Sequence, residues 1–288
     1  MTVSRVHISV WFAASLVGCH PRPERMASHA DVSSGAERQP IRIATFNLQN
    51  CGPTKVGRSE DLAVYVSAIR RYEIVAIQEI QDAAGDAART LLAAVNNVEG
   101  PEYDMLLSDN SGRESDDRSS QERYAYFFNT EVVRALDDGL LFDDSERDLF
   151  QRDPFVGRFA IGDWDFSLVE VHTRPQAAVA EIGALHEVVT WARVEYRDDD
   201  VIVVGDFNAA CDYASPEKLD ALDLRGSQYL WIVPDGADTN VSPRACAYDR
   251  ILTTTSAGMR FTGTWGVDRG TGSVSDHYPV WAAFKVSR

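Results

Sequence analysis

The chain has 288 residues, of which 44% are hydrophobic and 25% are charged, close to the averages for soluble globular proteins. This composition excludes a collagen-like or low-complexity chain, and the length allows a large core. With 28 basic and 44 acidic residues, the formal net charge is −16. That balance excludes a broad basic surface as the means of holding nucleic acid, and it favours divalent cations at a site for an anionic ligand.

The first forty residues have the pattern of targeting signals. An apolar run at 6–18 follows a basic start and is shorter than the roughly 20 residues of a membrane span, so residues 1–18 are interpreted as a signal peptide. The letters LVGC at 16–19 resemble a bacterial lipobox, which predicts lipidation of Cys19. The alternative is an ordinary secretory signal in which Cys19 is incidental. Residues 19–40 are polar and predict a flexible tether, so we expect an exported protein, lipid-anchored at the cell envelope or secreted.

Export places the remaining cysteines in an oxidising compartment. Cys51, Cys211 and Cys246 are odd in number, so one disulfide and one free thiol is the simplest outcome. Sequence spacing alone leaves the pairing open.

Residues 41–288 are predicted to form one α/β domain. Apolar runs predict strands at 41–47, 73–80, 103–107, 123–128, 155–161, 165–172, 201–208, 248–254, 260–265 and 279–286. Helical spacing of apolar residues predicts helices at 60–71, 86–98 and 176–196, the first of them with Ser59 as a candidate cap. Many strands with few helices favour two sheets packed face to face with helices outside.

Polar clusters stand at the ends of these strands. They are Asn47, Gln78 with Glu79, His172, Asp206 with Asn208, and Ser275 with Asp276 and His277. Asp206 and Asn208 are two residues apart, so their side chains face the same side of a strand. A carboxylate with an amide oxygen suits Mg²⁺ or Ca²⁺ and not zinc, and Glu79 would supply another oxygen. Buried acids of this kind need a cation or hydrogen-bond donors to offset their desolvation.

Each of these residues has a structural explanation when taken alone. Asp206 would ordinarily be a turn or cap residue, His172 a core histidine, and His277 part of a turn. Together they offer two histidines, several carboxylates and no Ser or Cys nucleophile motif, which indicates direct attack of water on phosphorus. A carboxylate behind each imidazole would fix its tautomer, and Glu122 and Asp249 are the available candidates.

A series of short motifs occurs in an order that resembles the endonuclease/exonuclease/phosphatase family. The motifs are TFN, IQE, ERY, VHT, GDFNA, CAYDRI and SDHYPV, within residues 41–284. Inside that family, the stretch 205–251 is most similar to the deoxyribonuclease I branch. The resemblance implies an α/β fold, namely a four-layer α/β sandwich of two packed mixed β-sheets flanked by helices. It also implies a metal-dependent phosphodiester hydrolase that acts as an endonuclease on DNA.

The resemblance implies a role for each matching residue. The catalytic group would be His172, His277, Glu122, Asp249 and Asp206. The ligands of Mg²⁺ or Mn²⁺ would be Glu79, Asn47, Asp276 and Asp206. Phosphate contacts would come from Asn208 and Arg152. The expected products carry 5′-phosphate ends, and a monomer is expected.

The resemblance also implies structural features away from the chemistry. Cys211 and Cys246 would form the disulfide of that branch, which leaves Cys51 as the free thiol. Structural Ca²⁺ is expected at two places. The first is at Asp238, although Pro243 and Arg244 alter the later ligand positions of that loop. The second would use Asp144, Asp148, Asp153 and the carbonyl of Phe150.

Two departures from the branch bear on the substrate. The branch has an Arg after the catalytic Glu and a Tyr before the ERY segment, where this chain has Gln81 and Ser120. Loss of both weakens contact with a duplex minor groove. The loop at 109–121 is longer than in the branch and carries Arg113 and Arg118, which are candidate DNA contacts in their place.

Three other functions remain open at this point. A hydrolase of a phospholipid head group or small phosphodiester would use the same phosphate machinery, but the 109–121 loop is polar where lipid entry needs an apolar insertion. A non-catalytic binding module would tolerate loss of a histidine or metal carboxylate, and none is missing. Export disfavours an abasic-site repair enzyme. The sequence therefore favours an exported, metal-dependent endonuclease that cuts DNA and touches a membrane only through its lipid anchor.

Overall fold

The computed structural model describes residues 39–112, 121–272 and 274–287. Its strands are β1 Ile41–Cys51, β2 Ile74–Ile80, β3 Tyr103–Leu107, β4 Arg123–Asn129, β5 Arg134–Ala135, β6 Leu140–Leu141, β7 Phe155–Ile161, β8 Trp164–His172, β9 Val201–Asp206, β10 Tyr229–Trp231, β11 Asp249–Thr254, β12 Phe261–Val267 and β13 Val280–Phe284. Its α-helices are α1 Pro53–Val56, α2 Ser59–Ile69, α3 Asp86–Asn96, α4 Ala178–Tyr196, α5 Pro216–Asp220 and α6 Thr255–Gly258.

The strands form two mixed sheets. The first has the order β12-β13-β1-β2-β4-β3, and the second has the order β10-β11-β9-β8-β7-β5, with β6 beside β7. The pairs β1–β2 and β8–β9 are parallel, and the other strand pairs are antiparallel. Each sheet therefore has one parallel pair at its centre, and those strands end on the same edge of the sandwich.

The two sheets and the helices on their outer sides form four layers, and an apolar cluster lies between each pair of neighbouring layers. The central cluster joins the facing sides of the two sheets, for example Ile43 and Tyr126 with Phe159 and Ile251. A second cluster packs α2 and α3 on the outer side of the first sheet, and a third packs α4 on the outer side of the second. The predicted four-layer α/β sandwich of two packed mixed sheets is confirmed.

Side-chain alternation carries the apolar pattern into the polar ends of the strands. In β9, Ile202 and Val204 face the other sheet, so Asp206 faces it too. The same parity in β1 leads from Ile43 to Asn47. Asn47 and Asp206 therefore meet between the sheets, where the Asn47 amide nitrogen lies 3.1 Å from the Asp206 carboxylate.

A second set of hydrogen-bonded side chains, Thr45, Gln78 and Glu170, also joins the two sheets. Gln78 Nε2 donates to Glu170 Oε1 at 2.6 Å, and Gln78 Oε1 accepts from the Thr45 hydroxyl at 3.1 Å. All three side chains are fully buried. Burial raises the pKa of Glu170 well above its ordinary value, so the neutral acid is favoured.

The long predicted elements match the structure with small shifts at their ends. Ser59 lies inside α2, whose cap position is Arg58, so the predicted cap is wrong by one residue. The short elements α1, α5, α6, β5, β6 and β10 were not predicted from the sequence. Each has only two to five residues, too few for an apolar period to develop.

Several predictions concern residues outside the described ranges. They are the signal peptide at 1–18, nearly all of the tether at 19–40, Cys19, Arg113, Arg118 and Ser120. Among the described helices, none combines the length and the apolar character that crossing a membrane requires.

Candidate active site

Adjacent strands place a row of acid and base side chains across the second sheet. The register pairs His172 of β8 with Asp206 of β9, and Asp206 with Asp249 of β11. All three residues are buried, between 0% and 7% exposed. Because they stand on the side that faces the first sheet, the row lies between the two sheets, at the ends of β8 and β9.

Each of two imidazoles lies between two carboxylates. His172 Nδ1 is 2.9 Å from Glu122 Oε1, and its Nε2 is 3.5 Å from Asp206 Oδ2. His277 Nδ1 is 2.8 Å from Asp249 Oδ2, and its Nε2 is 3.4 Å from the same Asp206 oxygen. A carboxylate at Nδ1 fixes the tautomer and leaves Nε2 as the nitrogen that exchanges protons. The two histidines thus share one carboxylate in front, and each has its own carboxylate behind.

The first sheet adds Asn47 and Glu79 to this row. Asn47 Nδ2 donates to Glu79 Oε1 at 2.8 Å, and Asn47 Oδ1 accepts from the backbone N–H of Gln49 at 2.8 Å. The backbone N–H of Asn50 donates to Glu79 Oε2 at 2.7 Å. The Glu79 carboxylate is therefore held by one donor on each oxygen, and it remains partly exposed.

The backbone of Glu79 is left-handed, with φ of 62°. Strict alternation after Val75 and Ile77 would send the Glu79 side chain toward the outer helices. The left-handed residue coincides with a register shift between Ile77 and Ile80 in the pairing with β4, and this irregularity turns the carboxylate toward Asn47. Non-glycine residues adopt this conformation at an energetic cost and cluster at functional sites.

A loop before β13 delivers the second histidine. The backbone N–H of His277 donates to Ser275 Oγ at 3.1 Å, and that hydroxyl donates to the carbonyl of Asn47 at 2.7 Å. The loop is thereby tied to β1 of the first sheet. Asp276 is exposed, with a carboxylate oxygen 4.0 Å from His277 Nε2.

The electrostatics favour charged imidazoles and a charged Asp206. Burial lowers the pKa of His277, but the Asp249 and Asp206 carboxylates raise it to about 10. Burial and Arg152 lower the pKa of His172, but the Glu122 carboxylate outweighs them and the net shift is upward. Burial raises the pKa of Asp206, but the two histidines hold it below its ordinary value. Proton donors and acceptors therefore stand alternately along the row.

The sequence comparisons agree with this geometry. Residues 44–277 match the endonuclease/exonuclease/phosphatase family. The chain belongs to this family. Deoxyribonuclease-1 of Sus scrofa is 33% identical over 264 residues, which cover 85% of this chain and 92% of the relative. Deoxyribonuclease-1-like 1 of Chlorocebus aethiops is 34% identical over 267 residues, covering 87% and 86% respectively.

Solved structures share the fold of this family member. One is an endonuclease/exonuclease/phosphatase family protein from Bacteroides thetaiotaomicron, with a TM-score of 0.57 and 17% identity, covering 87% of this chain and 100% of the other. Another, from Enterococcus faecalis, has a TM-score of 0.58 and 18% identity, covering 86% and 100%. The predicted membership in the deoxyribonuclease I-like part of the family, and the predicted enzyme class of phosphodiester hydrolase, are confirmed.

Among the residues that the structure describes, two sets could hold a catalytic metal. Asp206, Asp249 and His277 each bring one ligand atom within 4.8 Å of the others. Both nitrogens of His277 already face carboxylates, however, so that set is better described as a proton-sharing chain. The carboxylate oxygens of Glu79 are oriented by Asn47 and by the backbone of Asn50, and the residue remains partly exposed. Carboxylate oxygens are the ligands that Mg²⁺ or Mn²⁺ prefers. The residues present therefore fit a hard cation at Glu79.

The two predicted phosphate contacts have different settings. Asn208 follows β9 in a left-handed conformation with φ of 47°, and its Nδ2 donates to the carbonyl of Thr173 at 3.0 Å. Arg152 is only 6% exposed. Its Nε donates to the carbonyl of His172 at 3.1 Å and lies 3.6 Å from Glu122 Oε2. In this structure Arg152 therefore supports the His172–Glu122 pair from behind.

The two candidate calcium positions also differ. Asp144 and Asp153 share a carboxyl–carboxyl hydrogen bond, and burial together with nearby acids raises the pKa of Asp153 to about 7. Asp144 Oδ2 also accepts from the backbone N–H of Phe150 at 2.8 Å, and Asp148 is left-handed with φ of 51°. Crowded carboxylates of this kind fit a calcium ion. The Asp238 carboxylate, in contrast, accepts from Arg269 Nη2 at 2.7 Å.

The cysteines are arranged as the resemblance implies. Cys211 and Cys246 form a disulfide with their Cα atoms 5.8 Å apart. Cys51 is a free, buried thiol whose pKa burial raises to about 12. A thiol in that state is a poor nucleophile.

Sequence reasoning missed several residues that support the site. Glu181 accepts from the backbone N–H groups of Gln151 and Arg174, at 3.2 and 3.0 Å, and so joins the loops on either side of the Arg152–His172 contact. Its signal was an acid on the buried stripe of α4, between Ala178 and Ile182. Arg250 is fully buried and donates to the carbonyls of Ala209, Val233 and Ala247. An arginine directly before Ile251 and Leu252 in a predicted strand was the signal there.

Proposed function

We propose that this protein is an exported, divalent-metal-dependent endonuclease that hydrolyses DNA phosphodiester bonds by direct attack of water and leaves 5′-phosphate ends. The observation that carries the proposal is the pair of imidazoles that share Asp206 and are each backed by a buried carboxylate. That arrangement supplies one proton acceptor and one proton donor on opposite sides of a common point, which in-line displacement at phosphorus requires.

The histidines carry the protons in this mechanism. One imidazole must be in its neutral form, and its Nε2 then accepts a proton from the attacking water while the oxygen–phosphorus bond forms. The Nε2 of the other donates its proton to the 3′ oxygen of the leaving nucleotide while the phosphorus–oxygen bond breaks. Glu122 and Asp249 stabilise the imidazolium that each step requires. Because the geometry is close to symmetrical, the proposal assigns acid and base to the pair and not to single rings.

Glu79 is the proposed ligand of Mg²⁺ or Mn²⁺, with Asn47, Asp206 and Asp276 beside it. When bound, such a cation neutralises the phosphate and stabilises the charge that develops on the leaving oxygen. Asn47 orients Glu79 through its amide nitrogen, at 2.8 Å. Asp206 lies 3.1 Å from the same nitrogen and would orient the attacking water. Asn208 would bind the scissile phosphate through the amide hydrogen that Thr173 does not take.

DNA is the proposed substrate because relatives that share about a third of the sequence are named deoxyribonucleases. Arg113 and Arg118 are proposed contacts to the DNA backbone in place of the groups that Gln81 and Ser120 lack. Arg152 would act on phosphate through the edge of a guanidinium that mainly supports Glu122. Asp144, Asp148 and Asp153 are proposed as a structural calcium site.

Export and anchoring are proposed from the sequence. Residues 1–18 would be removed, Cys19 would be acylated, and residues 19–40 would separate a monomeric domain of residues 41–288 from the membrane. Expression in a bacterial host with labelled palmitate tests this: the wild-type protein is expected to take up label and Cys19→Ser is not. Label in neither protein, with release into the medium, would indicate secretion without an anchor.

The decisive experiment is nicking of supercoiled plasmid by the proposed domain of residues 41–288. Nicking is expected with Mg²⁺ and Ca²⁺, and it is expected to disappear with EDTA or in His172→Ala and His277→Ala. His186→Ala is the matched control, since His186 pairs with Tyr229 outside the row. Ligase should reseal the nicks directly, because it needs a 5′-phosphate. Absence of nicking by the folded, metal-loaded protein would overturn cleavage of duplex DNA and leave single-stranded DNA, RNA and phospholipid head groups to be tested.

A further inference from the structure

The loop at residues 236–246, called here the Asp238 loop, holds both members of the His277–Asp249 pair. On the Asp249 side, Thr239 Oγ1 accepts from the backbone N–H groups of Asp249 at 3.1 Å and Tyr248 at 3.0 Å. Its hydroxyl donates to the carbonyl of Cys246 at 3.2 Å. Thr239 is fully buried. A shift of this threonine would therefore move the backbone that carries the Asp249 carboxylate.

On the other side, the same loop pairs with the backbone around His277. The backbone N–H of Tyr278 donates to the carbonyl of Thr239 at 2.8 Å, and that of Val241 donates to the carbonyl of Asp276 at 2.8 Å. Between these bonds, Asn240 and His277 form an antiparallel bridge. The Asp238 loop thus lies between the backbone of His277 and the backbone of Asp249, and it sets the distance between them.

Asp238 holds the loop in place through hydrogen bonds. Both of its carboxylate oxygens and its carbonyl oxygen accept from donors of this chain. Arg269 Nη2 lies 2.7 Å from Asp238 Oδ2 and 3.2 Å from the Asp238 carbonyl. With its amide oriented to satisfy the surrounding acceptors, Asn240 donates to Asp238 Oδ1 at 3.2 Å and to the carbonyl of Arg244 at 3.1 Å. The Arg269 guanidinium also lies over the Tyr278 ring, 4.9 Å from its centroid.

This donor set does not fit a calcium ion. Calcium needs six to eight oxygen ligands, and a guanidinium already occupies the carboxylate and the carbonyl that Asp238 could offer. A dication beside that guanidinium would be repelled. Further along the loop, Arg244 forms two bonds to the Asp212 carboxylate, at 2.9 and 3.0 Å. The expectation of calcium at Asp238 is therefore not supported by the residues that surround it.

We propose that Arg269 acts as an internal cation in place of calcium, and that it is a positioning residue for the His277–Asp249 pair. The Asp238 loop is then held by this ion pair and by the Cys211–Cys246 disulfide, with no calcium requirement. The effect on rate rests on the proposed hydrolysis, whereas the effect on the loop does not.

Hydrogen exchange followed by mass spectrometry tests the loop directly. In the wild-type protein, added Ca²⁺ is expected to leave exchange at 236–248 unchanged. Arg269→Gln is expected to speed exchange there, with or without Ca²⁺. Arg260→Gln is the matched control, because Arg260 forms a similar exposed pair with Asp163 at the opposite end of the first sheet. Slower exchange at 236–248 on adding Ca²⁺ to the wild type, or wild-type exchange in Arg269→Gln, would overturn the proposal.

Kinetics separate positioning from simple loss of stability. Arg269→Gln is expected to lower kcat for plasmid nicking about two- to fivefold with KM unchanged, which is the range of a partly exposed ion pair. Arg269→Lys should restore most of the rate, since it keeps the charge. A rise in KM alone, or an equal loss in Arg260→Gln, would contradict a positioning role. If the wild type does not nick DNA at all, the proposed function fails while the exchange experiment still decides the loop.

Discussion

The two imidazoles of the candidate active site, His172 and His277, have similar surroundings at Nε2 and different supports at Nδ1. In front, both Nε2 atoms face Asp206, at 3.5 and 3.4 Å. At Nδ1 of His172 stands Glu122, and the buried Arg152 forms an ion pair with Glu122. Behind His277 stands Asp249, held by a loop that a disulfide closes. Each imidazole thus has a carboxylate at Nδ1. That carboxylate is held by a buried ion pair at His172 and by a disulfide-closed loop at His277.

The largest expected effect is on the chemistry, and it should be alike on both sides. Glu122→Gln and Asp249→Asn each remove the charge that stabilises an imidazolium, so kcat for plasmid nicking should fall about 10²- to 10⁴-fold in either variant. Steady-state kinetics with matched circular dichroism spectra measure this. A loss confined to one variant would mean that the two histidines do not act as a pair.

The same two variants should differ in stability. Glu122→Gln leaves the Arg152 guanidinium buried without its carboxylate, which should lower the free energy of unfolding by about 3–5 kcal/mol. Asp249→Asn leaves His277 able to lose its proton, so about 1–3 kcal/mol is expected. Urea denaturation in EDTA measures both. Equal losses would show that Arg152 does not depend on Glu122.

Removing the cross-link should affect the His277 side selectively. Cys211→Ser with Cys246→Ser opens a loop with a sequence separation of 35 and should lower the free energy of unfolding by about 3–4 kcal/mol on the chain-entropy model. Hydrogen exchange should rise at 236–249 and remain unchanged at 165–172. Cys51→Ala is the control for loss of a cysteine outside the disulfide. Faster exchange around His172 as well would show that the two sides are not independent.

A further prediction is a pH dependence of stability without metal. The pKa of His277 is about 10 in the folded protein and about 6.5 when unfolded, so its stabilising charge is present below pH 6.5 and is lost as pH approaches 10. Urea denaturation in EDTA should therefore give a falling free energy of unfolding between pH 6.5 and 8.5. His277→Gln should flatten this slope. An identical slope in both proteins would assign the dependence to other groups.

The sequence was most informative where a long apolar strand ends in polar residues. Asp206 and His172 follow directly from alternation in β9 and β8, and their convergence follows from parallel pairing at one edge. Glu79 was named from its place at the end of an apolar strand, but alternation alone would have placed its side chain on the outer side of β2. Its left-handed backbone depends on the irregular pairing with β1 and β4, a tertiary property that no local pattern in the chain expresses.

Two interpretations remain predictions, Asp238 as a calcium ligand and Arg152 as a phosphate contact, and both involve residues brought together from distant segments. Asp238 was assigned to a cation from its loop alone, and its partner Arg269 lies 31 residues further along the chain. Arg152 was assigned to phosphate, and its burial depends on segments that pack around Glu122 and His172. The short elements between β4 and β7 gave no periodic signal. Local sequence therefore predicted which charged residues belong to the site and its loops better than it predicted the oppositely charged partner of each one.

The hydrogen bond between Gln78 and Glu170 has a consequence for how the two sheets are aligned. Apolar contact sets the spacing between stacked sheets but resists sideways sliding only weakly, because dispersion forces have little directional preference. The bonds from Gln78 to Glu170 and from Asn47 to Asp206 are directional, and both cross from one sheet to the other near their polar edge. A slide of an ångström would stretch both bonds beyond useful length. The hydrogen bond of the buried, neutral Glu170 thus resists sliding of one sheet over the other. It does so close to Asn47 and Asp206, the side chains that meet from the two sheets.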